Sequence, residues 1–550
     1  MTLEPGEQKT ARELEWLVLL ERIARGTKSE IARDALLAWR PETTLEGARA
    51  RMRRTREAMA LAARGADLPV TRIEDQTQSC AKLARSSSLE GRELYTLSLT
   101  LEGAERLRAH LGRHGDEAPA LAAWLATSPV LAPLLERIQH AVAPDGSLHD
   151  GASAALKRVR QQSRELRADL RQRVNGLVAR FADAMQGQYV VERDGRYVLP
   201  VRADAPFRVD GLVLGSSASG GTLYVEPALT HELGNDVQRA EAAVRAEEAR
   251  VLAELNAAVL AELEAVGVAQ AACIEADCLV ALVEHGHGER AHTFEPLAEP
   301  LLDLKAMRHP LLEAQASSEV VANDLLLESG RALILSGPNA GGKTVALKCL
   351  GLAAWMVRAG IPIPADPGSR VGWFEPVLTD IGDHQSLAQS LSTFSAHVRQ
   401  MSEALALAAP GALILIDELA GGTDPEEGAA LAAAVVERLL ERGAAVCVTT
   451  HYERLKTRAA ADARMTNSSV GFDRERLQPT FRLVHGVPGP SSALLIAERH
   501  GVGRDVIERA RALVPEEQQS AQRLLEELEL ERARLDEARR ELARESESAR

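Results

Sequence analysis

The feature that most constrains this chain is Gly337-Pro338-Asn339-Ala340-Gly341-Gly342-Lys343-Thr344, set directly behind the apolar run Ala332-Leu333-Ile334-Leu335. It fits the pattern G-x-x-x-x-G-K-[ST] between a strand and a helix, where the glycines let successive backbone N–H groups curl around phosphate oxygens. In that arrangement Lys343 neutralises β/γ-phosphate charge and the Thr344 hydroxyl reaches Mg²⁺, while the following helix N-terminus adds its own positive end. A loop of this kind has to be launched from a buried parallel strand, so the region around it is committed to an α/β sheet. Two further runs, Ala412-Leu413-Ile414-Leu415-Ile416 and Ala445-Val446-Cys447-Val448, are continuously apolar, as strands covered on both faces require.

The second of these three strands ends in Asp417-Glu418, two carboxylates at the edge where α/β sheets bind ligands. There Asp417 would hold Mg²⁺ through water, and Glu418 would orient or deprotonate an attacking water. The third ends in Thr449-Thr450-His451, which places an imidazole where it could sense a γ-phosphate. Phosphate loop, carboxylate pair and terminal histidine together predict an ATPase that uses ATP and Mg²⁺.

Elsewhere the chain reads as helical. At 550 residues it is long enough for three to four domains, and aromatics are only 3% of it, which favours helices over β-sandwiches. Residues 1–150 read as a helical core of short amphipathic pieces, with a polar break at Arg40-Pro41-Glu42-Thr43-Thr44. Residues 151–290 read as lever helices, with Leu166, Leu170, Val174 and Leu177 as an apolar stripe along the first. The return helix should run from Pro227 to about Glu284, and a β-rich tip spans about 188–226, with a hairpin turn at Asp194-Gly195 and a Gly/Ser-rich turn from Gly215 to Gly221. Residues 295–514 hold the sheet. The tail 515–550 repeats Leu528, Leu535 and Leu542 behind Leu524, with Glu531 at a core position, which suits a solvated helix or a coiled coil. The fold class is therefore multidomain α plus α/β.

Lys plus Arg number 65 against 79 Asp plus Glu, a net charge of −14, which excludes a uniformly basic nucleic-acid coat. A local stripe remains: Lys157, Arg160, Arg164, Arg167 and Arg171 recur on one helical face and could follow a phosphate backbone, or form a salt-bridged lever face. The start, MTLEPGEQKTARELE, lacks the apolar core of a signal peptide, and no run of 18 apolar residues predicts a membrane span. The five scattered cysteines, Cys80, Cys273, Cys278, Cys349 and Cys447, fit a reducing cytoplasm. Cys273 and Cys278 near His285 and His287 could suggest zinc, but their spacing matches no zinc knuckle and they sit in an apolar helical stretch.

With these residues in view, the chain closely resembles the MutS family of ATPases. The matching blocks are Gly337–Thr344, Ile381-Gly382-Asp383, Leu391-Ser392-Thr393-Phe394-Ser395, Asp417-Glu418-Leu419, Gly422-Thr423-Asp424-Pro425 and Thr449-Thr450-His451-Tyr452. Arg308-His309-Pro310, Asp194–Val201, Ser217–Gly220, Val225-Glu226-Pro227 and Gly486-Val487-Pro488-Gly489 are similar to its second bacterial branch, the recombination-suppressing paralogue. The resemblance implies a cytoplasmic homodimer with a clamp at the end of its lever arms, Ser392 reaching across to the partner's γ-phosphate, and Val320 and Val321 flanking the adenine. It also implies a nucleic-acid partner. Branched DNA with suppression of recombination is the first reading, and a sensor that splits collided ribosomes through rRNA contacts is the alternative. An ATP-gated scaffold with little turnover is disfavoured by the intact Glu418.

Departures from the family matter too. Mismatch-repair members carry a Phe-x-Glu wedge, and none of the seven Phe here has Glu two places later. Second-branch members usually end in a small nuclease domain with a His-Gly-x-Gly motif; the resemblance here stops near 514, so nuclease activity is not expected. His285-Gly286-His287-Gly288 mimics that motif and reads as a turn closing the return helix, and His384 stands where family members tend to carry Glu.

Overall fold

The computed structural model describes residues 5–205, 208–288, 290–312, 320–338, 341–382, 393–421, 424–473, 478–487 and 501–513, with single positions at 497, 531, 534, 535 and 538. Two compact units emerge: Met1–Leu68 with Leu111–Ala123 and Glu275–Arg550, and Pro69–His110 with Trp124–Ile274.

The second unit is built on two long helices. Ala154–Arg180 starts at Ser153, whose hydroxyl accepts the Leu156 N–H at 2.9 Å and caps an otherwise unpaired donor. Its buried Leu170 and Val174 face the sheet of the tip, with Leu166 and Leu177 beside them. That sheet comprises β1 (Val191–Arg193), β2 (Arg196–Arg202), β3 (Gly211–Ser216) and β4 (Thr222–Pro227), ordered β1-β2-β4-β3 and antiparallel throughout. Asp194 and Gly195 both have positive φ, 49° and 72°, which closes the two-residue hairpin with the twist its strands need.

The structure corrects the sequence reading twice here. The Gly/Ser turn expected from Gly215 is preceded by β3, an edge strand whose Leu212 and Val213 are exposed and so lack the buried alternation that marks a strand. The return helix is also broken: Ala228–Ala261 ends at Glu262, where φ falls to −111°, and a new helix runs Leu263–Gly288. Buried Glu226, at the end of β4, takes both oxygens to Arg196 Nη1 at 2.7 and 2.8 Å, joining two strands at the foot of the tip.

In the first unit, β5 (Leu301–Met307), β6 (Asn323–Glu328) and β8 (Arg370–Val371) form a small antiparallel sheet ordered β6-β5-β8. The main sheet is ordered β13-β12-β7-β11-β10-β9 and comprises β7 (Ala332–Ser336), β9 (Val377–Asp380), β10 (Leu413–Ile416), β11 (Ala445–Thr449), β12 (Met465–Asp473) and β13 (Gln478–His485). Every pairing from β12 to β9 is parallel, and only the hairpin strand β13 is antiparallel. Every residue of β7, β10 and β11 is buried, which is why these strands read as unbroken apolar runs. The helix Lys343–Ala359 behind the phosphate loop is buried along most of its length, and its Trp355 meets Trp16 edge-to-face at 5.4 Å.

Residues 285–288 are the last turn of the helix Leu263–Gly288, not a turn closing it, and the His285 ring is buried. This helix is also long and apolar enough to cross a membrane by length and composition, although Glu275 and Asp277 interrupt its apolar run. Within the protein, 61% of its most apolar 18-residue window is buried, as expected of a core helix. Cys278 gives its thiol to the Ala32 carbonyl at 3.5 Å, and Cys273 to that of Thr100 at 3.6 Å. Of the tail heptads, Leu524, Leu528 and Leu542 lie outside the described residues, while Leu535 is exposed.

Candidate nucleotide site

The phosphate loop leaves the C-terminal end of β7 at Gly337, where φ is +123°, a conformation that L side chains avoid. A Cβ there would sit 3.2 Å from the Val470 backbone nitrogen. At Gly341 it would meet the Pro338 carbonyl at 3.0 Å, so close backbone approach excludes side chains on both sides of the loop. Gly342, at φ +97°, opens the helix that begins with Lys343. Asn339 and Ala340 lie outside the described residues.

Lys343 is buried, and its ammonium donates to the carbonyls of Gly337 at 2.7 Å and Pro338 at 3.3 Å. Burial pushes its pKa below the usual lysine range, against the opposing pull of Asp417 and Glu418. Thr344 donates its hydroxyl to Asp417 Oδ2 at 2.7 Å, and Thr449 donates to the other Asp417 oxygen. Glu418 follows with its carboxylate exposed and its backbone N–H given to Thr449 Oγ1 at 2.8 Å. His451 Nε2 lies 3.3 Å from Lys343 Nζ and 4.0 Å from Glu418 Oε1. Five predicted residues from three strand ends therefore converge: Lys343, Thr344, Asp417, Glu418 and His451.

The residues fit a magnesium nucleotide. The buried ammonium is satisfied by carbonyls of its own loop that phosphate oxygens could relieve, and the glycine cradle leaves no room for side chains. The Thr344 hydroxyl and the Asp417 carboxylate already share one hydrogen bond, as a hydroxyl and a carboxylate around one Mg²⁺ would be placed.

A family model described as MutS domain V matches residues 333–517. The chain is 40% identical over 542 residues to the endonuclease MutS2 of Anaeromyxobacter sp. (strain Fw109-5), covering 96% of this chain and 67% of the relative. It is 35% identical over 543 residues to the endonuclease MutS2 of Pelotomaculum thermopropionicum, with coverages of 98% and 68%. To that of Symbiobacterium thermophilum it is 35% identical over 531 residues, with 96% and 66%. The chain belongs to the MutS family. It spans about two thirds of the length of these MutS2 relatives.

Other residues singled out in this MutS chain are placed less centrally. Val320 and Val321 are half-buried in the irregular stretch that leads into β6. Ser392, Asp383 and His384 lie outside the described residues, and β9 ends at Asp380. Sequence reasoning assigned nothing to Phe481. Its φ is +58°, the residue is 48% exposed, and its Cδ1 would stand 3.6 Å from a Cβ placed on Gly342. The Phe481 carbonyl accepts from Asn323 Nδ2 at 2.9 Å, which ties β13 to β6 beside Val320 and Val321. The rarity of aromatics in this chain, with only seven Phe, was the one local signal.

The basic stripe of the second unit is mostly engaged within the protein. Arg160 pairs with Asp150 at 2.8 Å and Glu248 at 2.6 Å, Arg164 with Asp150 at 2.9 Å, and Arg167 with Glu192 at 3.2 Å and Glu241 at 3.1 Å. Lys157 and Arg171 are exposed with no ion pair among the described residues. The lever face is thus largely salt-bridged, leaving two positions of the five open to a phosphate backbone.

Proposed function

We propose that the chain is an ATP-hydrolysing clamp that binds branched DNA and suppresses recombination, working as a homodimer in the cytoplasm. The observation that carries the ATPase reading is the convergence of Lys343, Thr344, Asp417, Glu418 and His451 at adjacent strand ends. Mg²⁺ supplies charge neutralisation on the phosphates when bound with the nucleotide. Lys343 exchanges its two carbonyl partners for β/γ-phosphate oxygens, and Thr344 and Asp417 hold the metal. Glu418, the one carboxylate of the set that is exposed, orients the water and takes its proton. Neutral His451 sits beside Lys343 facing the same position. Phe481 offers an aromatic face to the adenine next to Val320 and Val321. Ser392 acts in the partner subunit's site.

The DNA reading is supported by the name of the relatives, endonuclease MutS2, and by the unpaired Lys157 and Arg171. Recognition would be by shape, since no base-reading element is evident among the described residues. Cleavage is not assigned to the residues described.

Two variants test the site. Lys343→Ala should abolish nucleotide binding, whereas Glu418→Gln should bind and stall, because an amide cannot take a proton. Equal loss of binding in both would sink the assigned roles. Mixing Ser392→Ala with Lys343→Ala subunits leaves one composite site of the heterodimer intact if Ser392 acts in trans, because the unmutated loop of one subunit meets the unmutated serine of the other; a mixture that regains no activity would place Ser392 in its own subunit.

A further inference from the structure

The loop after β10 is held in a conformation that its residues do not favour. Glu418 and Ala420 both adopt positive φ, 50° and 60°, where the Cβ of a non-glycine residue crowds its own backbone. Such a conformation persists only if its surroundings over-determine it. Here they do so from one side, the end of β11. Thr449 Oγ1 accepts the Glu418 N–H at 2.8 Å, and the Thr449 carbonyl accepts the Leu419 N–H at 3.3 Å. Three residues on, the Tyr452 hydroxyl donates to the Ala420 carbonyl at 2.8 Å. Within the loop, Gly421 N–H closes back on the Glu418 carbonyl at 2.9 Å, and Leu419 is buried beneath it.

Thr449 is the telling member. It ends a strand whose other residues are Ala445, Val446, Cys447 and Val448, all buried, and it is itself wholly buried. Packing alone would be served by valine, which has the same shape without a polar group to satisfy. The hydroxyl is fully used instead: its proton goes to Asp417 Oδ1 and a lone pair takes the Glu418 N–H. One oxygen thus couples the carboxylate on the metal side to the backbone that carries the carboxylate on the water side.

We propose that Thr449 is a positioning residue for ATP hydrolysis, its hydroxyl fixing the left-handed backbone that aims the Glu418 carboxylate, with Tyr452 pinning the far side of the same loop at Ala420. The inference rests on the reading of Glu418 as the group that handles the attacking water. Nucleotide binding should be spared. Lys343 is held by the carbonyls of Gly337 and Pro338, and Asp417 keeps both its Thr344 partner and its own N–H bond to the Asp380 carbonyl at 2.8 Å.

The test uses the full chain with T449V, T449S, Y452F and, as reference, E418Q, reading steady-state turnover and the Kd of a fluorescent ATP analogue. T449V should lower kcat by about a hundredfold, the scale of a small misplacement of a reacting group, with Kd within about threefold of the parent. T449S keeps the hydroxyl and should restore most of the turnover, and Y452F should slow it about tenfold at unchanged Kd. Turnover of T449V within twofold of the parent overturns the proposal, as does a fall in affinity that matches the fall in kcat. T449S as impaired as T449V overturns it too, because shape would then matter and the hydroxyl would not. Should T449V fail to fold, an unimpaired Y452F overturns the pinning of the loop by itself. E418Q at full activity would remove the reading of Glu418 regardless of Thr449, whereas an inactive E418Q beside a fully active T449V removes only this inference.

Discussion

Nζ of Lys343 and Nε2 of His451 stand 3.3 Å apart, so the imidazole keeps a lone pair for the ammonium and stays neutral. Burial, reinforced by Lys343 and Lys456, pushes the His451 pKa below its ordinary value of 6.5. Its protonation therefore lies on the acid side of 6.5. Nucleotide turnover should run level through pH 6.5 and fall only below it. A pH–rate profile checks this; an inflection at or above 6.5 that disappears in His451→Gln would refute a neutral histidine.

Adding a methyl group to the cradle should destroy it. Gly341→Ala would bring a Cβ to 3.0 Å from the Pro338 carbonyl and 3.1 Å from Val470 Cγ1. Gly112 and Gly267 sit in helices with open space around the same atom. Nucleotide affinity should drop by at least about tenfold in Gly341→Ala, while Gly267→Ala should bind normally. Equilibrium binding of a labelled nucleotide compares the two directly.

Acid should weaken the first unit through two buried histidines. His285 and His309 each leave Nε2 without a partner, and burial pushes both pKa values down to about 4. The unfolded chain titrates near 6.5, so between 6.5 and about 4 it binds protons that the fold refuses, and stability falls as pH falls. By pH 5 this amounts to on the order of 2 kcal/mol apiece. Urea midpoints at pH 7 and pH 5 should differ less in His309→Asn, which keeps an acceptor for the Leu311 N–H, than in the parent. An undiminished difference would show that the acid loss arises elsewhere.

Salt dependence separates the two halves of the basic stripe. Removing Lys157 or Arg171, exposed and unpaired, should reduce the slope of log affinity for junction DNA against log salt by about one each. Arg160→Gln, which breaks bonds to Asp150 and Glu248, should instead lower stability and leave the slope nearly unchanged. Equal slopes for all three variants would mean that this face does not meet phosphates.

The parts of this molecule that local chemistry dictates could be read from the sequence. Three buried strands, the glycine loop and the carboxylates after Ile416 are each written in contiguous residues, and the hairpin at Asp194-Gly195 needs only two positive φ values. What escaped depends on contacts across distant segments. Nothing local in β3 marks Leu212 and Val213 as an exposed edge, because that follows from the pairing with β4 alone. The role of Thr449 is invisible until β11 lies beside β10, and the ion pairs of Arg167 require Glu192 and Glu241 from two other elements. The helical state of His285–Gly288 overrode a turn-like Gly-His-Gly pattern through packing of its buried face.

The first helix, Pro5–Glu13, lies against β9 at the edge of the main sheet. Lys9 donates to the Thr379 carbonyl at 2.8 Å, and Glu13 accepts the Ile381 N–H at 3.0 Å, while Asp380 between them pairs with His397 at 2.9 Å. Lys9 and Thr379 are 370 residues apart, and the entire second unit is inserted between them. At translation speeds of about 5–20 residues per second, the helix leaves the ribosome roughly 20–70 s before its docking strand exists. The inserted unit can close first, since all its segments have emerged by residue 274. The main sheet therefore gains its β9 edge only after the whole inserted unit has been made, and the helix Pro5–Glu13 spends that interval without the strand it docks on.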